Sequence, residues 1–242
     1  MKAMSKFWMA LVVGVAVMTV STQLWAVPLS NTNISWATFT YLVDISNPVG
    51  IPFEDHFVFR NLDGYITVSG DIQSGVFPGK SGTPAENLYA YIYQFHVDVG
   101  GVISGFSLEL KGPGPTMITV DGTDITSFYI GSDVPDYFFY GQGNKAPASY
   151  PYGSQFTFPP PAVKFSWAGN EVGAGEASFI VGFFSPVLPT TTVVNLVDTG
   201  VETENPFVYT PSPEPSISLL LGAGLLGGII WSRGKKKIMK KA

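Results

Sequence analysis

The chain has 242 residues, no cysteine and two histidines, with 14% aromatic and 13% charged residues, 27 glycines and 19 prolines. The missing cysteines exclude disulfides, thiolate metal centres and cysteine nucleophiles, and the aromatic-rich, turn-rich mixture excludes general disorder and favours an all-β chain. The net charge of −5 hides an asymmetry: residues 44–214 hold all 18 acidic residues against five basic ones (Arg60, Lys80, Lys111, Lys145 and Lys164), a net −13 that speaks against a nucleic-acid partner.

Residues 1–26 carry Lys2 and Lys6, an uncharged apolar run over residues 7–20, a polar "STQ" and then "LWA". This order of basic, apolar and cleavable segments predicts a secretory signal peptide cut after Ala26. Leu24 is bulkier than the small residue preferred two residues before Ala26, so the site is less well defined than the signal itself.

From residue 27 onward the pattern is of short strands. "SWATFTYLVD" (35–44) and "GYITVSGDIQ" (64–73) are predicted strands. The clearest is "NLYAYIYQFHVDV" (87–99), where Tyr89, Tyr91, Tyr93, Phe95, Val97 and Val99 alternate with Leu88, Ala90, Ile92, Gln94, His96 and Asp98. A period of two over that length predicts a strand with its aromatic series toward the core. "GFSLEL" (105–110) follows, then "TMITVDGTDITSFYI" (116–130), a hairpin with Asp121-Gly122 as its turn. "AVKFSWA" (162–168) and "ASFIVGFFS" (177–185) complete the set. Strands at such spacing, with no amphipathic helix between them, predict a β-sandwich, Ig-like or jelly-roll-like, over residues 27–201. Two Gly/Pro-rich stretches, 74–87 and 133–162, read as long loops, and residues 202–212 read as a Pro-rich linker.

The chain closes on "PSPEPSISLLLGAGLLGGIIWSRGKKKIMKKA" (211–242). The 18 uncharged residues 215–232 would span about 27 Å as a helix at ~1.5 Å per residue, close to the ~30 Å hydrocarbon thickness. The basic cluster Arg233, Lys235, Lys236 and Lys237 acts as a stop-transfer signal and stays cytoplasmic. Gly222, Gly224, Gly227 and Gly228 weaken the predicted transmembrane helix (216–232), and Gly224 with Gly228 makes a GxxxG pair.

The order Pro213-Glu214-Pro215, apolar span, basic tail (233–242) resembles the PEP-CTERM sorting signal of Gram-negative bacteria. The resemblance covers residues 213–242. It implies a substrate of exosortase, a membrane protease taken to act near the Pro213-Glu214-Pro215 motif, and an association with exopolysaccharide and biofilm. Residues 163–186 loosely resemble the strand, glycine turn and strand that often precede such a tail. The body would stand in the periplasm, held transiently at the inner membrane, before reaching the cell surface or the medium. "LPTTT" (188–192) lacks the glycine of a Gram-positive sorting motif and is set aside.

Chemistry is sparse. Gly79-Lys80-Ser81 copies the end of a phosphate loop but lacks the spacing and the following helix, so it reads as a surface turn. His56, beside Glu54 and Asp55, and His96, flanked by Gln94 and Asp98, match no zinc spacing and read as surface histidines. No nucleophile elbow occurs. The expectation is therefore no catalytic residue, no metal and no cofactor, with calcium at the turn aspartates Asp121, Asp124, Asp133 and Asp136 as the one alternative. A non-enzymatic surface protein is the leading function. A carbohydrate-binding module stacking sugars on Tyr137, Tyr140, Tyr150 and Tyr152 is the second, and an extracellular hydrolase using a pair of carboxylates the third.

Overall fold

A computed structural model describes residues 27–28, 31–110, 113–148, 155–157, 162–197, 201–204 and 206–212. In chain order its strands are β1 (Val27–Pro28), β2 (Asn31–Ile34), β3 (Phe53–Arg60), β4 (Ile66–Pro78), β5 (Tyr89–Gly100) and β6 (Val102–Ile103). Then come β7 (Gly105–Glu109), β8 (Ile118–Val120), β9 (Thr123–Ile125), β10 (Ser127–Ile130), β11 (Gln155–Thr157) and β12 (Ala162–Ser166). The last are β13 (Val172–Gly173), β14 (Glu176–Ala177), β15 (Ile180–Ser185), β16 (Pro189–Val197), β17 (Val201–Glu204) and β18 (Phe207–Pro211). A short helix, α1 (Trp36–Leu42), lies between β2 and β3.

The chain is all-β. Its larger sheet runs β17-β3-β4-β5-β15-β10-β2, with β14 also paired to β5, and its second sheet runs β1-β11-β12-β7-β16-β18. The pairings are antiparallel apart from β2 with β10. Inward-pointing residues of the larger sheet, among them Phe57, Ile72, Tyr91, Tyr93 and Phe95, form one buried cluster with Phe106, Leu108, Phe165, Val194 and Val208 of the second. Trp167 closes one end, its indole N–H donating to the Lys145 carbonyl at 3.0 Å. The predicted period of β5 holds from Tyr89 to Val97, with Tyr91, Tyr93, Phe95 and Val97 in this cluster and Tyr89 packed against it. It fails at Val99, which is 58% exposed beyond the irregularity where the register shifts between Val97 and Val99. Ala90 and Ile92 point the other way, into a second cluster with Phe39, Leu42, Phe77, Phe128 and Phe184. Both faces of the central strands are therefore covered.

The expected strands 64–73, 105–110, 162–168 and 177–185 form in large part as β4, β7, β12 and β15. The Asp121-Gly122 hairpin is present as β8 and β9, both turn residues taking positive φ (49° and 80°), as a tight two-residue turn demands. Three expectations are corrected. "SWATFTYLVD" is helical over Trp36–Leu42, because Ser35 caps it by accepting the Thr38 N–H at 3.1 Å and the burial of Phe39 and Leu42 on one face overrides the β preference of Thr, Phe and Tyr. Neither long loop holds throughout: Ser74–Pro78 extends β4, Gly79 bridges Val43 and turns begin only at Ser81, and within 133–162 residues Gln155–Thr157 form β11, paired with β1 and β12. Residues 202–212 are not a linker, since β17 pairs with β3 and β18 with β16. β18 lies at the end of its sheet, where Pro211 can occupy a strand whose outer edge needs no further donors.

Candidate functional site

The outward face of β3, β4 and β5 is polar where its register brings three strands level. Glu54 stands opposite Gln73, His56 opposite Asp71, Gln73 opposite Gln94, and Asp71 opposite His96. Within these rows the Gln73 amide donates to the Glu54 carboxylate, and the His56 Nδ1 lies 2.8 Å from Asp71 Oδ1. His96 Nδ1 lies 2.9 Å from Asp98 Oδ1, two residues along the same strand face. Two histidine–aspartate pairs thus stand near one another on neighbouring strands.

The segment 133–145 lies across this face. Its anchor is Gln94, fully buried, whose amide donates to Gly141 O at 3.1 Å and Ser178 O at 2.9 Å while its Oε1 accepts the Tyr140 N–H at 3.0 Å. Asn144 N–H donates to Ala177 O at 3.0 Å, and Phe179 N–H to Lys145 O at 2.8 Å. Phe138 and Phe139 pack against the second cluster, Phe138 lying 4.6 Å from Trp36 between ring centroids. Phe139 has φ of 55°, a left-handed conformation that a bulky side chain adopts only when its surroundings hold it there. At Gly143 an added Cβ would meet Ser178 O at 1.8 Å, so the segment sits too close to the sheet for any side chain at that point.

Two cavities flank the bend at Tyr137–Tyr140. One, of about 320 Å³, is walled by Ile45, Pro48, Pro52 and the rings of Phe53, Phe77, Tyr137, Phe138 and Phe139, with Glu54 and Gln73 as its polar members. The other, of about 570 Å³, is polar, lined by Asp71, His96, Asp98, Asp136, Tyr140 and Gln142 among others. The Tyr140 hydroxyl donates to Glu54 Oε2 at 3.2 Å, linking a residue of one cavity to a residue of the other.

Neither lining contains a lysine or arginine. Among the described residues no Lys or Arg forms an ion pair with Glu54, Asp71 or Asp98, and Lys145 is engaged with Glu176 at 3.1 Å. The Tyr140 phenol registers this field: burial pushes it well above the ordinary tyrosine value, and the charges of Glu54 and Asp71 push it further. Ligand atoms of His56, Asp71 and Asp98 lie within 4.8 Å of one another, so these three could hold a divalent cation, and an imidazole with two carboxylates suits a first-row metal better than calcium. Neither imidazole has a hydroxyl nucleophile as a hydrogen-bond partner among the described residues.

Of the tyrosines proposed as sugar platforms, Tyr137 is 84% exposed at the rim of the apolar cavity, whereas Tyr140 is half-buried and committed to Glu54. Tyr150 and Tyr152 lie outside the described residues, as do Ala26, Pro213, Glu214, Pro215, Arg233, Lys235, Lys236, Lys237 and the expected signal and transmembrane segments. No helix among the described residues is long and apolar enough to cross a membrane. The turn aspartates do not converge. Asp124 accepts from Thr119 at 2.7 Å, Asp121 occupies the hairpin turn, Asp133 takes a positive φ and only Asp136 faces a cavity. The Gly79-Lys80-Ser81 stretch leads from a bridge at Gly79 into a turn in which the Gly82 N–H and the Ser81 hydroxyl donate to Glu86, pulling its carboxyl below the usual range.

Sequence reasoning missed the gathering of Glu54, His56, Asp71, Gln73 and Gln94. The His96-x-Asp98 spacing, which places both side chains on one strand face, was the one local signal available. The His56–Asp71 pair depends on register between β3 and β4 and left no local trace. Comparisons with protein-family models, with curated proteins and with solved structures find no match.

Proposed function

We propose that this chain is an exported, non-enzymatic cell-surface or matrix protein of a Gram-negative bacterium, sorted by an exosortase-type protease and associated with exopolysaccharide. The observation that carries the reading is the terminal order Pro213-Glu214-Pro215, uncharged 18-residue span and basic cluster, paired with an N-terminal export signal. The glycine-laden span makes a weak permanent anchor, which suits a tether that is later cut. The body is read as a β-sandwich, supported by the single cluster to which both large sheets contribute. The test is the mass of the mature C-terminus. Replacing Pro213-Glu214-Pro215 by three alanines is expected to leave the full-length chain in the inner membrane, whereas the wild type loses its lysine-rich end. Intact wild-type chain as the sole species in the cell envelope would sink this reading.

A second reading, a saccharide-binding body, is favoured by the aromatic cavity and by Tyr137 standing exposed at its rim. It is compatible with the first, since a matrix protein needs a matrix to hold.

A further inference from the structure

Resting on the saccharide reading, we infer that the apolar cavity takes a sugar carrying a free ammonium group, an unacetylated amino sugar, in preference to a neutral or acidic one. The cavity's volume of about 320 Å³ has room for a ring-sized ligand, at the lower end of the ~300–1,000 Å³ typical of small-molecule sites. Its walls are rich in aromatic rings, whose faces carry a negative quadrupole that attracts both polarised C–H groups and cations. Tyr137 is the exposed platform.

The discriminating group is Glu54. Its carboxylate accepts hydrogen bonds from the Tyr140 hydroxyl and the Gln73 amide, which fix its orientation, but neither donor carries charge. A carboxylate has about four acceptor positions, so it retains capacity for a ligand. No Lys or Arg forms an ion pair with it among the described residues. Beyond Tyr140, the second cavity adds Asp71, Asp98 and Asp136, and Asp71 and Asp98 already raise the Tyr140 phenol. Residues 44–214 carry a net −13. A neutral sugar gains stacking and a hydrogen bond from an uncharged hydroxyl to Glu54, a uronic acid is repelled, and an ammonium gains stacking, a hydrogen bond charged on both sides and the surrounding field together.

The experiment titrates the full chain, in detergent, with β-linked tetramers of glucosamine, N-acetylglucosamine and glucose, following heat by calorimetry. The glucosamine tetramer is expected to bind at least about ten-fold more tightly than the other two at low salt, with the advantage shrinking as salt rises. Glu54→Gln should erase that advantage and leave residual binding of all three. Tyr137→Ala should weaken all three alike. Equal affinities for the three tetramers would overturn the charge inference and leave the saccharide reading standing. Absence of binding by any of them at millimolar concentration would overturn both. Binding of the glucosamine tetramer that is indifferent to both substitutions would place the site elsewhere and overturn the inference.

Discussion

The inward and outward faces of β3, β4 and β5 obey one alternation and perform opposite tasks. Inward, Phe57, Ile72, Tyr93 and Phe95 are at most 2% exposed and meet the second sheet through apolar surface. Outward, the same strands present Glu54, His56, Asp71, Gln73, Gln94 and His96, and the segment 133–145 buries Gln94 while leaving Glu54 and His56 exposed, held in large part by hydrogen bonds to backbone groups. Apolar burial is non-directional and tolerates many partners, whereas a hydrogen-bonded cover fixes a particular geometry and leaves space beside it. The inner face therefore carries stability along its whole length, whereas the outer face does so only where Phe77, Ala90 and Ile92 enter the second cluster, and its polar rows carry cavities with chemistry in them.

The largest effect that probes this division is on the inner face. Phe95 packs edge-on against Trp167 at 4.9 Å between ring centroids. Phe95→Ala is expected to cost about 3–5 kcal/mol in denaturant unfolding, from lost transfer energy and the cavity left behind. Asp98→Asn, on an exposed site of the same strand, should stay within about 0.5 kcal/mol. Similar costs for the two would mean that the inner cluster is not the seat of stability.

Gln94 is the place where the outer face behaves like a core. Its amide serves Gly141 O and Ser178 O away from water and the part-buried Tyr140 N–H. Gln94→Leu keeps much of the volume but orphans those backbone groups, at about 1–3 kcal/mol for each left unpaired. The expected cost is about 3 kcal/mol, accompanied by faster hydrogen exchange over residues 138–145. A loss of stability with no change in exchange there would show that the segment is held by its aromatic side chains instead.

How much of this was legible in advance follows from the same contrast. The period of residues 89–97 announced the inner face, because a strand's core side is written in its own alternation. The Asp121-Gly122 turn was equally local. What the outer face holds depends on register: Glu54, Gln73 and Gln94 come together only once β3, β4 and β5 are aligned, and nothing near any one of them specifies the other two. Residues 133–145 looked like a loop because Gly, Pro and polar residues dominate them. Their order comes from contacts to Gln94, Ala177 and Phe179, distant in sequence. α1 was misread for a related reason, since the Ser35 cap and the seat for Phe39 outweigh local strand propensity.

Alkaline pH acts on the inner face more gently. The Tyr91 hydroxyl donates to Val187 O and the Tyr93 hydroxyl to Tyr209 O, each at 2.7 Å. Burial raises both phenols above their ordinary value. With the folded value above the unfolded one, the native state keeps protons that the unfolded chain has released. The resulting stabilisation is complete below about pH 10 and declines as pH rises beyond it, by about 1.4 kcal/mol per unit for each tyrosine. Tyr93→Phe should flatten that decline by about 1 kcal/mol when unfolding is followed between pH 10 and 11, where the unfolded phenol is still only part-ionised. An unchanged slope would mean that Tyr93 ionises as freely as it does in the unfolded chain.

The smallest effect on stability is the most informative about function. Tyr137 sits within the segment that covers the outer face, yet its side chain is 84% exposed and no hydrogen bond or ring contact ties it to the described structure. Its neighbours Phe138 and Phe139 pack their partly buried rings against the second cluster, so the backbone at Tyr137 is held by residues other than itself. Tyr137→Ala should therefore shift the unfolding free energy by less than about 0.5 kcal/mol, as exposed substitutions do. Phe138→Ala, one position on, removes a partly buried ring and should cost about 1.5–3 kcal/mol. An aromatic ring that contributes little to folding and stands at the mouth of an aromatic cavity is placed to meet something outside the chain. If Tyr137→Ala destabilises the protein as much as Phe138→Ala does, the ring belongs to the fold and the cavity loses its platform.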